Sequence, residues 1–152
     1  MLPERFAFVD VETTGGNNQR DRVIEIGIIR VEKERVVKTY QSLVDPDQHL
    51  PPEISMMTGI QSKDLETAPT FRQIADEVEE ILSDCVFVAH NARFDYGFVK
   101  AEFSRVKKKL KNRQLCTVKL SKQLYPEHAR HNLNELVIRF GLRIENRHRA
   151  LD

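Results

Sequence analysis

The stretch Phe6-Ala-Phe-Val-Asp10-Val-Glu12-Thr-Thr-Gly15 decides the fold of this chain. Aromatic and β-branched residues in a short run, stopped by threonines and glycine, are typical of a β-strand. Because side chains alternate along a strand, one face carries Phe6, Phe8, Asp10 and Glu12, and the other carries Ala7, Val9 and Val11. We expect the first face to begin in the core and to end in two carboxylates. Apolar residues on both faces predict a central strand.

The two carboxylates of this strand need a positive partner. Asp10 and Glu12 are one residue apart on one face, and the strand contains no Lys or Arg after Arg5. An ionised carboxylate inside a protein is costly unless it is paired. A divalent metal ion at the carboxyl end of the strand would supply the charge. The alternative is a solvated edge strand, where acids are common, but the apolar residues on both faces favour the metal site.

Composition predicts one α/β domain spanning residues 1–152. Hydrophobic residues make up 40% and charged residues 31% of the chain, which is ordinary for a globular protein. The net charge of +1 gives no global attraction to nucleic acid or membrane, so any such affinity requires local patches. The absence of a long apolar run or a signal sequence predicts a cytoplasmic protein with no membrane partner. Cys85 and Cys116 are too few for a disulfide framework or a zinc site.

Hydrophobic periodicity predicts three antiparallel strands followed by strands that alternate with helices. The apolar run at 85–90 predicts a strand buried on both faces and parallel to the first. Glu25, inside the second apolar run, is expected to pair with an arginine or the backbone and not to bind metal. The predicted strands are 6–15, 22–31, 35–44, 85–90 and 114–117, and the predicted helices are 52–58, 70–82, 92–106, 118–124 and 133–140. This order predicts a mixed sheet flanked by helices.

Four motifs together resemble the DEDDh 3′–5′ exonucleases. They are Phe8-Val-Asp-Val-Glu-Thr-Thr-Gly15, Val23-Ile-Glu-Ile-Gly27, His90-Asn-Ala-Arg-Phe-Asp95 and His148-Arg-Ala-Leu151, in the family's order along the whole chain. This is the family of the bacterial polymerase proofreading (epsilon) subunit. The resemblance implies a ribonuclease H-like fold, with a mixed five-stranded sheet of three antiparallel strands and then parallel strands.

The resemblance also implies a two-metal site. Two Mg²⁺ or Mn²⁺ ions would activate a water and stabilise the leaving 3′ oxygen of a phosphodiester. By matched position, Asp10 would bridge both ions, Glu12 would hold one of them, Asp95 would contribute from a helix, and His148 would be the general base. Alone, Asp95 could serve the helix dipole, and His148 would be an ordinary surface histidine.

The substrate side of the site is implied in the same way. Backbone groups at Thr13, Thr14 and Gly15 would lie near the 3′ end. The short helix that ends at Met57 and Thr58 would contact the last base, although Met56 and Met57 could equally belong to the core. His90, Asn91 and Phe94 would lie near the terminal nucleotide, and a core role for Phe94 is nearly as well supported.

The last motif departs from the family pattern. The family has four residues between His and Asp, which would put the aspartate at position 153, whereas Asp152 is one residue short. We expect the domain to be truncated just before the family's final helix, with Asp152 at best a weak metal ligand and the activity impaired.

The function implied by the resemblance is a metal-dependent 3′–5′ exonuclease that acts on single-stranded DNA in proofreading or repair. An RNA-trimming relative is the alternative within the same chemistry. A module without catalysis, which binds nucleic-acid ends or a polymerase, is the alternative from another class. Expected partners are nucleic-acid 3′ ends, and a polymerase subunit or a fused downstream domain.

Overall fold

A computed structural model describes residues 2–152 as one mixed sheet with helices. The strands are β1 (Arg5–Thr13), β2 (Val23–Glu32), β3 (Arg35–Leu43), β4 (Val86–Ala89) and β5 (Gln114–Cys116). The helices are α1 (Pro52–Thr58), α2 (Ser62–Glu66), α3 (Phe71–Leu82), α4 (Ala92–Arg105), α5 (Thr117–Leu124) and α6 (Leu133–Phe140). All five predicted strands and five of the helices agree with the sequence prediction to within about two residues at each end.

The strand order β3-β2-β1-β4-β5 makes β1 the central strand, as predicted. β1 is antiparallel to β2 along its whole length, and β2 is antiparallel to β3. β4 is parallel to β1 and to β5. The β1–β4 pairing ends where Phe8 meets Val88, so the two strands separate before the acidic end of β1. A split between strands at their carboxyl ends is where open α/β sheets bind ligands.

The two faces of β1 differ more than the sequence indicated. Ala7, Val9 and Val11 are buried in the main core with residues of α3 and α4. The opposite face was expected to begin in the core, and this was wrong: Phe8 is 44% exposed, and Phe6 is only half-buried. Helices α3 and α4 cover the first face only. The face that carries the carboxylates is therefore one wall of an open cavity.

Helix α3 follows the predicted amphipathic pattern, since the six apolar residues from Phe71 to Leu82 on one face are all buried. Thr70 precedes it as the predicted N-cap, and its N–H donates to Gln73 Oε1 at 2.9 Å. Helix α2 was missed because five residues are too short for a periodic pattern. Within residues 2–152, no helix combines the length and the apolar character needed to cross a bilayer.

Candidate active site

Asp10 and Glu12 lie at the acidic end of β1, beside the split between β1 and β4. Both line a cavity of about 690 Å³. Asp10 is exposed to the cavity and Glu12 is half-buried. Their position on the central strand is set by pairing with β2 and by core packing on the opposite face. The two carboxylates that the sequence predicted on one face therefore face the same open space.

Asp95 joins this pair from the first turn of α4. Its side chain is almost entirely buried, and its Oδ1 accepts a hydrogen bond from the Val11 N–H at 3.1 Å. Asn91 precedes the helix in the left-handed conformation, with φ of 67°. The residue after β4 thus turns the chain so that the first turn of α4 faces β1. Asp95 contacts β1 itself, which is more than a helix-dipole role requires.

The three carboxylates form one electrostatic cluster. Burial, and then the charge of Asp10, raises the pKa of Asp95 to about 8, against the opposing effect of the hydrogen bond from the Val11 N–H. Burial, and then the charge of Glu25, raises the pKa of Asp10 to about 7. Burial and the charges of Asp10 and Glu25 raise the pKa of Glu12 to about 7, against the opposing effect of Arg149. The cluster is short of positive charge.

The chemistry of the cluster fits a hard divalent cation, because carboxylate oxygens are the ligands that Mg²⁺ and Mn²⁺ prefer. Charge fits as well, since an added cation would offset the burial and the neighbouring negative charges that raise the three pKa values. A preformed cage is absent: within residues 2–152, no three His, Cys, Asp or Glu side chains are already grouped to hold a metal ion. The fit therefore rests on donor type and charge.

His148 and Asp152 line the same cavity as Asp10 and Glu12. They belong to the segment after α6, which has no helix or strand. His148 is exposed and has a left-handed backbone with φ of 68°. Asp152 accepts a hydrogen bond at Oδ1 from the Glu145 N–H at 3.1 Å, so its carboxylate already stabilises a turn of this segment.

Glu25 fixes the segment that carries His148. Its carboxylate is fully buried and accepts hydrogen bonds from Arg149 Nε at 2.9 Å and from the Ala150 N–H at 2.7 Å. Arg149 Nη2 lies 2.9 Å from the same carboxylate. The prediction that Glu25 pairs with an arginine or the backbone is confirmed, because it pairs with both.

Gly27 lets the same segment approach the sheet closely. A Cβ at this position would lie 2.1 Å from the Ala150 carbonyl oxygen. The sequence analysis missed this contact, although a glycine inside an apolar strand is a known signal of close backbone approach. Together, Glu25 and Gly27 form a platform on β2 for the residues next to His148.

His90, Asn91 and Phe94 lie on both sides of the turn that leads into α4. His90 lines the cavity, its Nδ1 is 2.9 Å from Thr117 Oγ1, and burial lowers its pKa. Asn91 is exposed. Phe94 is half-buried against the core, with its ring centroid 4.8 Å from that of Phe98. One part of the ring packs in the core, as the alternative for Phe94 expected, and another part is accessible; contact with a nucleotide stays a prediction.

Thr13, Thr14 and Gly15 are engaged in the turn after β1. Thr13 Oγ1 donates to the Gly15 carbonyl at 2.6 Å, and Thr14 Oγ1 donates to Gln48 Oε1 at 2.6 Å. The Thr14 N–H donates to the Arg22 carbonyl at 2.9 Å. None of the three lines the 690 Å³ cavity. Their polar groups maintain the shape of the loop.

The two methionines of α1 are on the surface. Met56 is 87% exposed and Met57 is 48% exposed, so the alternative that they belong to the core is wrong. Thr58 is buried, and its hydroxyl donates to the Ile54 carbonyl at 2.8 Å. Neither Met57 nor Thr58 lines the 690 Å³ cavity.

Comparison with known proteins shows the family of this chain. Residues 7–152 match the family model RNase T, whose description is exonuclease. The chain belongs to this exonuclease family. It is 38% identical over 146 residues to the 3′–5′ exonuclease DinG of Staphylococcus epidermidis, covering 95% of this chain and 16% of that protein. It is 34% identical over 149 residues to a PolC-type DNA polymerase III of Clostridium perfringens, covering 98% of this chain and 10% of that protein. The exonuclease chain thus spans between a tenth and a sixth of these relatives.

Solved structures support the fold of this exonuclease. E. coli exonuclease I in complex with a dA16 oligonucleotide has a TM-score of 0.85 and 20% sequence identity, covering 97% of this chain and 38% of that protein. The ribonuclease H-like mixed sheet implied by the four motifs is therefore confirmed.

Proposed function

We propose that this exonuclease removes nucleoside 5′-monophosphates from the 3′ ends of single-stranded DNA in a metal-dependent reaction. The observation that supports this most is the convergence of Asp10, Glu12 and Asp95, from three positions in the chain, at the split between β1 and β4. His148 lines the same cavity as Asp10 and Glu12. Two acidic positions on a strand, a third on a helix and a nearby base suit phosphodiester hydrolysis.

Asp10, Glu12 and Asp95 would hold Mg²⁺ or Mn²⁺. Bound at these carboxylates, two such ions would supply Lewis acidity and a water of lowered pKa for attack on phosphorus. The carboxylates must be ionised to act as ligands, and their raised pKa values mean that protons compete with the metal near neutral pH.

His148 would accept the proton of the attacking water at an imidazole nitrogen. The water oxygen forms a new bond to phosphorus, and the bond from phosphorus to the 3′ oxygen breaks. The products are a nucleoside 5′-monophosphate and a strand shortened by one residue with a new 3′-hydroxyl. An imidazole suits this role because its ordinary pKa of about 6.5 lies close to neutrality.

The terminal nucleotide would contact His90, Asn91 and the accessible part of Phe94. The exposed Met57 of α1, next to Thr58, would contact the last base. The loop Thr13–Gly15 would lie next to the 3′ end. Partners in this proposal are DNA 3′ ends in the cytoplasm. A polymerase or a fused domain is a further partner, because one relative is a polymerase of ten times this length.

Asp152 would contribute at best weakly as a further carboxylate ligand. It lines the cavity, but its carboxylate already accepts a hydrogen bond from the Glu145 N–H at 3.1 Å.

The decisive experiment is incubation with Mn²⁺ and a single-stranded DNA oligonucleotide labelled at its 5′ end, beside an RNA of the same sequence. Stepwise shortening of the DNA supports the proposal. Preferential shortening of the RNA would show that RNA, and not DNA, is the substrate. Binding without shortening would instead favour a module that binds nucleic-acid ends.

A further inference from the structure

A second groove lies on the exposed side of α4, away from the catalytic cavity. Its volume is about 590 Å³, and its lining includes Arg93, Lys100 and Arg105 of α4. Asn18 from the loop after β1 and Gln114 from β5 lie at its two sides. Arg93 and Lys100 are seven residues apart, so they lie on one face of the helix about 10 Å apart along its axis.

The wall formed by the loop is fixed to the helix. Arg105 Nη2 donates to the Asn18 carbonyl at 2.8 Å. Gly97 allows the loop to approach, since a Cβ at this position would lie 2.6 Å from Asn18 Nδ2. The groove is therefore built by specific contacts between two elements and is not only a gap between mobile side chains.

The groove extends towards the catalytic site. A smaller cavity of about 410 Å³ shares Asn18 and Arg93 with it and is also lined by Asn91 and Phe94. Asn91 directly follows His90, which lines the catalytic cavity. The two cavities therefore follow α4 from Lys100 to Asn91, the residue next to the catalytic cavity.

The two cavities beside α4 carry only positive charge in their linings. They have three cationic side chains and no Asp or Glu. Within residues 2–152, Arg93 and Lys100 make no ion pair. Arg105 lies 3.2 Å from Glu102, but the same carboxylate is 2.8 Å from Arg22, so one negative charge serves two guanidinium groups.

The densest basic run of the sequence, Lys107–Arg113, differs in this respect. Lys108 is held by Asp76 and Glu79 at 2.9 and 3.0 Å. The cavity lined by Lys109 and Lys111 also contains Arg5 and Arg113, and three acidic residues, Glu4, Glu79 and Asp84, offset most of this positive charge. The linings of the α4 groove contain no acid that could do the same.

We propose that the α4 groove binds the sugar–phosphate backbone of the strand upstream of the terminal nucleotide. This inference rests on the proposed function, because it takes the 3′ end to lie at the catalytic cavity. Lys and Arg side chains neutralise phosphates, and amides such as Asn18 and Gln114 hydrogen-bond to phosphate and sugar without reading bases. The one tyrosine in the lining, Tyr96, packs edge-on against Phe87, so base stacking contributes little here. The groove therefore recognises backbone, independently of sequence.

The experiment measures binding of a fluorescein-labelled oligothymidylate by anisotropy, over a series of KCl concentrations, in EDTA so that no hydrolysis occurs. Each phosphate contact contributes about 0.7 to the slope of log K against log salt for a single strand. The double variant Arg93→Ala/Lys100→Ala should therefore reduce the slope by about 1.4. The matched control Lys109→Ala/Lys111→Ala removes the same charge from the cavity that also contains Glu4, Glu79 and Asp84. This control should leave the slope unchanged. All four side chains are exposed, and circular dichroism checks that both variants fold.

Equal slopes for the wild-type protein and the Arg93/Lys100 variant would contradict the proposal that the α4 groove binds phosphates. Equal losses in both double variants would also overturn it, because they would indicate general attraction and not a defined path. The proposed function is tested separately by Mn²⁺-dependent shortening of the same oligonucleotide. A selective loss of slope in the Arg93/Lys100 variant, without any hydrolysis by the wild-type protein, would contradict the enzyme assignment and leave the proposal for the groove intact.

Discussion

The acidic end of β1 and the C-terminal segment contribute to one cavity but are held in different ways. Asp10 and Glu12 lie on the central strand of the sheet, and Asp95 is buried and bonded to the backbone of that strand. His148 lies in a segment without regular structure and is exposed. This segment is bound to the sheet by hydrogen bonds to the carboxylate of Glu25. It can approach β2 closely because Gly27 has no side chain.

The difference separates two requirements that a hydrolytic site has to meet. The proposed metal ligands are fixed by the same packing that folds the domain, so their backbone positions resist substitution. The proposed base, His148, is held by the attachment of its neighbours to β2, more than a hundred residues away in sequence. Its position should therefore be adjustable without unfolding the sheet, and the following variants test whether the two regions are independent.

The largest effect is expected for Asp10→Ala. Loss of this carboxylate should lower kcat of Mn²⁺-dependent DNA hydrolysis by about 10³-fold or more, because Asp10 is the proposed ligand of both metal ions. The free energy of unfolding without metal should be unchanged or increased, since repulsion with Glu12 and Asp95 is relieved. Glu66→Ala, at an exposed carboxylate on α2, is the control and should retain full activity. Substantial turnover by Asp10→Ala would refute its assignment.

Gly27→Ala should act chiefly on the C-terminal segment, although Gly27 is also the cross-strand partner of Asp10. The added Cβ would collide with the Ala150 carbonyl and displace the segment next to His148. A displacement of about 1 Å at a catalytic group reduces the rate about 10²-fold, so kcat should fall to that extent while KM changes little. Thr39→Ala on the exposed edge strand β3 is the matched control. If Gly27→Ala lowers the free energy of unfolding as well as kcat, the two regions are not independent.

Glu25→Gln should give a smaller loss, about tenfold in kcat. Glutamine keeps an oxygen for the Ala150 N–H but loses the charge that binds Arg149. A double-mutant cycle with Arg149→Gln separates the pair from other effects, because both substitutions together should cost less than the sum of the single costs. Strict additivity in both kcat and stability would show that the ion pair does not hold the segment.

The smallest effect concerns the stability of the protein without metal. The folded-state pKa of Asp95 is about 8 against an ordinary value of 3.8, so the folded state binds this proton more tightly than the unfolded chain. Stability from this group is therefore complete below about pH 4 and decreases as the pH rises towards 8. In EDTA, Asp95→Asn should be less sensitive to pH than the wild-type protein between pH 5.5 and 8.5. A difference of about 1 kcal/mol corresponds to roughly 2–4 °C in Tm, measurable by calorimetry. A Tm of the wild-type protein that increases over this range would contradict the acidic cluster.

Much of the acidic region could be predicted from sequence, because local patterns determine it. The alternation in β1 and the apolar run of β4 predicted a central strand with a parallel neighbour, and both were confirmed. Helix α4 was predicted to begin next to Asn91, and this fixed the place of Asp95 in the first turn. The exposure of Phe8 was not predictable, since an alternating pattern does not reveal which face of a strand the helices cover.

The attachment of the C-terminal segment could be predicted only in part. The role of Glu25 followed from the cost of a charge inside an apolar run, which requires a partner. The identity of that partner did not follow, because Arg149 is 124 residues away and lies outside any periodic element. The α4 groove escaped prediction for a related reason: its cations are spread over Arg93, Lys100 and Arg105, whereas the conspicuous run Lys107–Arg113 is balanced by acids from other elements.

The hydrogen bond between Asp95 and Val11 has a consequence for anyone who wishes to trap a bound strand in a crystal. An alanine at position 95 would leave the Val11 N–H buried without an acceptor, at a cost of about 1–3 kcal/mol. Such a protein would be inactive partly because the end of β1 had relaxed, and a strand bound to it would report a distorted pocket. Asparagine at position 95 removes the charge but can keep the acceptor, which makes it the better choice for a faithful inactive complex.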